Sequence, residues 1–229
     1  MRYEEAFLKL IQLEGVKYTN YAADLGGGTA YGVTQTAYTT YRTKMGLSQQ
    51  TVALITHSEA YDLYYREYWL PSHAYQMPDG VDFVLFQAYV NAGPKAIKWL
   101  QEAVGVVQDG AVGPKTLQGV ADYSAKYGTK ALVTSFLEIQ KRHYEKRVAE
   151  DLTQGQFYKG WLNRISETYA YVSGSLTSAG QAVASAASSV VASASAFVKK
   201  NPMESAMMIG LPILLFFCFQ ILLLLEEKS

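Results

Sequence analysis

Leu13-Glu14-Gly15-Val16-Lys17-Tyr18-Thr19-Asn20, followed by Ala23-Asp24-Leu25-Gly26-Gly27-Gly28-Thr29-Ala30-Tyr31-Gly32-Val33-Thr34, sets one carboxylate at the end of a helix, just ahead of a glycine-rich polar turn. Upstream, Phe7, Leu10 and Ile11 recur at helical spacing, and Glu14 falls on the same stripe, among side chains that seek the core. Gly15 then stops the helix. A carboxylate there is partly desolvated and lies near the negative end of the helix dipole, and both effects favour its protonated form. An acid that keeps its proton near neutral pH can protonate a glycosidic oxygen. The same position also suits an ordinary helix-terminal glutamate whose head reaches water, and position alone does not separate the two.

Outward from this stretch the pattern is mostly helical. Tyr3 to Leu13 is the first expected helix, and the glycine-rich segment to Val33 is a loop or short β-hairpin. Ser58 is placed to cap a helix running through Glu59, Tyr61, Leu63, Tyr64 and Glu67, with Glu59 and Asp62 in its acidic first turn. Asp79-Gly80 and Asp109-Gly110 mark turns, while Gly113-Pro114 reads as a helix start with proline near its first position. A long helix is expected from about Thr129 to Glu150. Leu132, Val133, Phe136, Leu137, Ile139 and Gln140 form its dry side, and Lys141, Arg142, Glu145, Lys146 and Arg147 its wet one.

The ordered run of motifs resembles glycoside hydrolase family 108, bacterial and phage muramidases of lysozyme-like fold with a peptidoglycan-binding-type segment after the catalytic part. Glu14 and Gly15 match the opening of its signature, and Asp24, Gly26, Gly27, Thr29, Tyr31, Gly32 and Thr34 match the run that follows. Further matches come in order: Tyr68-Trp69 with Pro71, Asp82, Asn91-Ala92-Gly93-Pro94, Leu100-Gln101, Asp109-Gly110, Gly113-Pro114 with Thr116, and Gly160-Trp161 with Arg164. Coverage extends to about Ile165. The chain departs from the pattern at Val16, where the family has a second glycine, around Tyr21 and Ala22, where an aspartate-proline step is lost, and at Leu25, which replaces a proline. Each of these alters loop backbone rather than the acid.

The resemblance implies Glu14 as proton donor and gives Asp24 the place of a second carboxylate. Whether Asp24 would activate water, attack the anomeric carbon or cap the glycine turn stays open, because carboxylate separation is not readable from sequence. Thr29 could hold water or the acid through its hydroxyl, and Thr34 likewise, or both could be strand-surface residues. Tyr31 could stack on a sugar ring, although a chain with 18 tyrosines gives a lone one little weight. Asn91 is either a groove residue, as the resemblance suggests, or a turn former before Ala-Gly-Pro. The stretch Leu100 to Thr116 is either the start of the peptidoglycan-binding segment or a purely structural turn and helix start.

Composition bounds the partners. The chain of 229 residues has 20 acidic and 20 basic side chains and is 49% hydrophobic, enough for one sizeable core without a polyanion-binding charge excess, so nucleic acid is not an expected partner. His57, His73 and His143 lack ligand spacing, so no metal site or cofactor is expected. Gly26-Gly27-Gly28 lacks the lysine of a phosphate loop. The single cysteine, Cys218, excludes an intrachain disulfide. The start, Met1-Arg2-Tyr3-Glu4-Glu5, does not read as a cleavable secretory signal.

Beyond Glu167 the composition changes. No charge occurs from Thr168 to Val198, and Ala and Ser dominate a stretch that is either a flexible tether or a helix. Leu176, Val183, Val190 and Phe197 recur every seven residues, a narrow seam on which self-association could rest. Lys199-Lys200 and Asn201-Pro202 then precede Ala206 to Leu225, 20 residues without a charge. At helical rise that run spans roughly 30 Å, the thickness of a bilayer's hydrocarbon core. The lysine pair favours the cytoplasmic side for the stalk.

The expected architecture is therefore mainly α, a lysozyme-like domain with a small β-hairpin or loop element, plus a C-terminal stalk and a single transmembrane helix. Residues 1–95 would be the muramidase part, 96–167 the peptidoglycan-binding-type helical part of the same domain, 168–202 the stalk and 203–229 the membrane anchor. The expected activity is hydrolysis of the β-1,4 bond between N-acetylmuramic acid and N-acetylglucosamine, at a virion's internal membrane or a host inner membrane. Two other readings stay open: a lytic transglycosylase, which needs one acid/base carboxylate and leaves an anhydro-sugar, and a catalytically weak membrane protein of a virion that only binds cell wall.

Overall fold

A computed structural model describes residues 3–14 and 28–200, with the surroundings of side chains given for 3–13 and 28–177. Residues 1–177 form one compact unit and 178–229 a second. Within the first, helix follows helix around a small antiparallel ribbon. Helix α1 (Tyr3–Glu14) leads to strands β1 (Thr29–Ala30) and β2 (Val33–Thr34), then α2 (Gln35–Lys44) and α3 (His57–Tyr64). A π-helical turn, Tyr65–Trp69, continues α3 into the short α4 (Leu70–Ser72). Next come α5 (Val81–Ala92), α6 (Lys95–Ala103), α7 (Pro114–Tyr127), α8 (Thr129–Glu150) and α9 (Gly155–Lys200).

Helix α5 is the axis of the unit. Val81 through Ala88 are all buried, so the helix is dry on every side and packs against α6, α8 and the turn before it. Polar residues are caught in that run. Asp82, 2% exposed, accepts hydrogen bonds from the backbone N–H groups of Gly80 and Phe83 at 2.8 and 2.7 Å. Burial nevertheless pushes its carboxyl above the ordinary range, the two N–H donors working the other way.

Aromatic rings join α1 to this axis. Tyr3 lies 4.7 Å from the Tyr61 ring and 5.3 Å from Trp69, and Trp69 meets Phe86 of α5 edge-on at 5.2 Å. The π turn adds one residue to the helical repeat, and Trp69 within it is buried. The Tyr3 hydroxyl donates to the Tyr61 carbonyl at 2.6 Å, and burial raises its pKa well above the ordinary phenol value.

Helix α3 is capped two residues ahead of the expected position. Thr56, not Ser58, is the N-cap: its hydroxyl accepts from Glu59 N while the Glu59 carboxylate accepts from Thr56 N, a reciprocal capping box. Glu59 also pairs with Arg42 of α2, whose guanidinium donates to the Tyr38 hydroxyl at 2.9 Å and to the Ser48 carbonyl. Burial opposes the charge on Glu59, but the Thr56 donors, Tyr38 and Arg42 outweigh it and hold its pKa below the ordinary value.

Helix α9 runs back along α5 with matching steps. Arg164 reaches Asn91, Tyr171 meets Phe83 edge-on at 5.0 Å, and Val172, fully buried, sits against Gly80. Gly80 has φ +88°, and a Cβ there would come within 2.7 Å of Val172 Cγ1. That glycine thus serves both the turn into α5 and the close approach of α9. Packing onto the unit extends through Leu176, beyond the Glu167 at which the composition changes. The Ala/Ser-rich stretch is helical as far as Lys200. Residues 206–225, expected to cross a membrane, lie outside the described residues, as does Cys218. Among the described residues no helix is long and apolar enough to cross a membrane.

Candidate active site

Helix α1 puts Ala6, Phe7, Leu10 and Ile11 into the core, and by helical register its last residue, Glu14, follows the same stripe. The Glu14 side chain is outside the described residues, and so is Asp24, with the whole of 15–27. What the structure describes of the expected site is the helix that carries Glu14 and the ribbon that follows.

The ribbon is a two-residue hairpin. Thr29 faces Thr34 and Ala30 faces Val33, with Ala30 and Val33 turned into the core. Tyr31 and Gly32 form the turn with φ of +53° and +73°. Two left-handed residues in succession make the turn whose twist suits a hairpin, and the first is ordinarily Asn, Asp or Gly. Tyrosine there is strained by about 1 kcal/mol. It is held by what surrounds it: the Tyr64 hydroxyl donates to the Tyr31 carbonyl at 3.0 Å, and the Tyr31 ring meets His57 edge-on at 6.2 Å. His57 in turn lies 5.4 Å from Phe7, and Tyr64 5.8 Å from it, so the hairpin tip is tied to α1.

The expected site residues divide by what already holds them. Thr34 is the N-cap of α2, its hydroxyl accepting from Ala37 N at 3.2 Å, so that group is committed to the helix start. The Thr29 hydroxyl, half-buried across the ribbon, has no hydrogen bond among the described residues. Asn91 stands apart from the hairpin. It is in the last turn of α5, its amide donating to the Gln87 carbonyl at 2.9 Å and accepting from Arg164, and it lines a cleft with residues of α6 and α8.

The Asp109-Gly110 turn is saturated from within. Gln101, 1% exposed, donates to Asp109 at 2.7 Å, to the Ala111 carbonyl at 3.0 Å and to Thr116 at 3.1 Å, and accepts from Gly110 N at 2.9 Å. The Ala111 N–H and the Gln101 amide hold the Asp109 carboxyl below the ordinary range. These bonds lock the turn onto α6 and α7. The histidines are spread out, His57 against Phe7, His73 against Tyr75 and His143 against Trp99. Among the described residues no group of three or more His, Cys, Asp or Glu could hold a metal ion.

Sequence reasoning passed over Tyr64 and His57, which fix the hairpin tip, and the Trp99 cleft. A tyrosine seven residues after a histidine carries no signal of its own. The cleft did leave one, lysines at both ends of the 95–150 span.

Comparison with known proteins gives these arrangements a setting. Residues 7–93 match the family model for Glycosyl hydrolase 108, and residues 95–166 match that of a Predicted Peptidoglycan domain. The structure of SagA from Brucella abortus is similar to this chain with a TM-score of 0.62 and 27% sequence identity, over 75% of this chain and 94% of that one. No match was found among curated proteins. The first part of the chain is thus similar to the family 108 glycosyl hydrolase domain and the part after it to the peptidoglycan domain, and the protein is a glycoside hydrolase acting on peptidoglycan.

Proposed function

We propose that this peptidoglycan hydrolase, with its family 108 domain, is an N-acetylmuramidase that cleaves the β-1,4 bond between N-acetylmuramic acid and N-acetylglucosamine. Glu14 donates the proton to the glycosidic oxygen, and Asp24 is the second carboxylate. The observation that carries this reading is that α1 ends at Glu14 inside the matched span and that the hairpin tip packs back onto α1 through His57 and Phe7. Such packing gives the acid a rigid base and sets a strained, fixed turn beside its helix.

In this reading the Thr29 hydroxyl, free of partners among the described residues, orients the attacking water or the acid. Tyr31 offers its ring to a sugar, Thr34 supports the strand from below as a helix cap, and Asn91 belongs to substrate binding further along the chain. Bond cleavage needs a protonated donor, so activity falls wherever the donor loses its proton.

We further propose that residues 206–225 hold the enzyme in a bilayer, with the helical segment to Lys200 as spacer, either in the internal membrane of a virion or in the host inner membrane before lysis. The uncharged run of bilayer length supports this.

Release of reducing ends from purified sacculi tests the chemistry. Glu14→Gln keeps the shape and removes the transferable proton, so the rate is expected to fall by about a hundredfold or more with the melting temperature unchanged. Equal clearing by the two proteins removes Glu14 from the mechanism. Products ending in anhydromuramic acid in place of reducing ends would make the enzyme a lytic transglycosylase.

A further inference from the structure

Between the start of α6 and the end of α8 lies a cleft of about 660 Å³. Its floor is Trp99, 5% exposed, on which the His143 ring stacks at 5.2 Å. Lys95 and Lys98 stand on the α6 side and Lys146 and Arg147 on the α8 side, facing a single lining carboxylate, Glu150. Glu150 reaches Lys146 at 3.7 Å, and both side chains are about two-thirds exposed, so that pair is loose. Arg147 spreads over the Trp161 ring at 5.3 Å, which positions its guanidinium without neutralising it.

Acids just outside the cleft offset this charge only in part. Asp109, beside Lys98, and Asp151, near Arg147, keep their negative charge, but their oxygens are turned to Gln101 and the Ala111 N–H and to Thr153 and Gln154, and with Glu150 they make three acids against four cations. The chain as a whole has equal numbers of acidic and basic residues. Four permanent cations around one concave, aromatic-floored space are thus a local accumulation, and an anion entering it relieves their mutual repulsion.

Resting on the reading that peptidoglycan is the polymer bound, we propose that this cleft takes the stem peptide of peptidoglycan through its carboxylates, rather than the sugars. The chemistry of the polymer selects this occupant. The N-acetyl sugars are neutral, and the lactyl carboxyl of the muramic acid is spent in the amide bond to the peptide, so the polymer's negative charge lies on peptide carboxylates. Lysine and arginine heads suit those groups, while the His143 ring, held flat on the buried Trp99, offers a face to alanine methyls. A space of several hundred Å³ accommodates a short peptide. The cleft falls within the residues that match the peptidoglycan domain, apart from Asn91 and Ala92 at its rim.

Co-sedimentation of the full chain, in detergent and at low salt, with intact sacculi tests this. The triple variant K95Q/K98Q/K146Q is expected to bind about tenfold more weakly, the summed effect of three modest charge contacts. Free tetrapeptide released from sacculi by an amidase should displace the wild type and leave the residual binding of the triple variant untouched. Glu150→Gln, which removes the opposing charge, should tighten binding about twofold and supplies a gain-of-binding arm should the triple variant melt early. Equal binding by wild type and both variants overturns the proposal, and so does failure of the free peptide to compete. Loss of reducing-end release with charge-dependent, peptide-sensitive binding intact would sink the hydrolase mechanism and leave this proposal standing.

Discussion

The hairpin at Thr29–Thr34 and the turn at Asp109–Gly110 are both short, polar and glycine-bearing, yet they use their polar groups in opposite ways. At Asp109 one buried amide, Gln101, ties together the carboxylate, the Gly110 N–H, the Ala111 carbonyl and the Thr116 hydroxyl. At the hairpin the backbone is strained at Tyr31, the tip is gripped from outside by Tyr64 and His57, and the Thr29 hydroxyl is left without a hydrogen bond among the described residues. A saturated turn contributes stability and offers little to a ligand. A strained turn with an unspent hydroxyl costs stability and keeps its hydrogen-bonding capacity for something else. Motif matching marks both turns equally, and only the hydrogen-bond inventory tells them apart.

The contrast breaks most visibly at Gln101. Gln101→Ala strands the Gly110 N–H, leaves the Thr116 hydroxyl only its bond to the Ala111 carbonyl and should cost about 3 kcal/mol, read as a shift in the denaturation midpoint. A loss below about 1 kcal/mol would mean that water replaces the amide without penalty, and the turn would not be a structural lock. The hairpin threonines sharpen the other side. Thr34→Val removes the cap of α2 and should cost about 1 kcal/mol with little direct effect on turnover. Thr29→Val should leave stability within about 0.5 kcal/mol and lower the rate of reducing-end release about tenfold. A reversed pattern, with Thr29 carrying stability and Thr34 carrying rate, would exchange their roles.

The smallest effect is expected at the Arg42–Glu59 pair, which braces the ribbon's outgoing helix. Glu59 has a depressed pKa, so its charged form stabilises the fold, an effect fully present above its ordinary value of 4.5 and lost as pH falls through the folded-state value. Glu59→Gln should therefore lower the melting temperature at neutral pH and make progressively less difference as the solution is acidified below pH 4.5. A difference that is constant with pH would assign the effect to packing instead of charge.

Much of this architecture is legible in the chain. The amphipathic stripe of α8 puts all six of its expected dry residues in the core, and Pro114 begins α7 as its position suggests. Both aspartate-glycine turns have their glycines at positive φ, at Gly80 and Gly110. Other elements carry no periodic signal. Helix α5 is apolar on every side, which erases the helical period, and six of the ten residues of α2 are Thr or Tyr, weak helix formers, so its start is decided by the Thr34 cap and by Tyr38 and Tyr41 reaching the core. The π turn at Tyr65–Trp69 answers to packing around Trp69 rather than to local sequence. Within the site, residue types and their order pick out the hairpin, but Thr34 as cap, Tyr31 in a left-handed turn and the separation of Asn91 follow from contacts that no spacing encodes. Leu176, the first residue of the seven-residue seam, proves to pack at Gly80.

Lys9 of α1 lies 5.1 Å from the centre of the Tyr171 ring, so the first helix and the last one to join the unit touch each other. During synthesis α1 and α5 are made early, while the α9 residues that cover Phe83 and Gly80 are made last. Until Val172 has left the ribosome the unit lacks part of its wall, and contacts between such distant stretches are slow to form and leave apolar surface open meanwhile. Trimming the chain at the end of its matched family span, near residue 166, would leave that gap permanently. The hydrolase is completed by residues that resemble a linker, so its shortest self-sufficient form ends some ten residues after the motifs do.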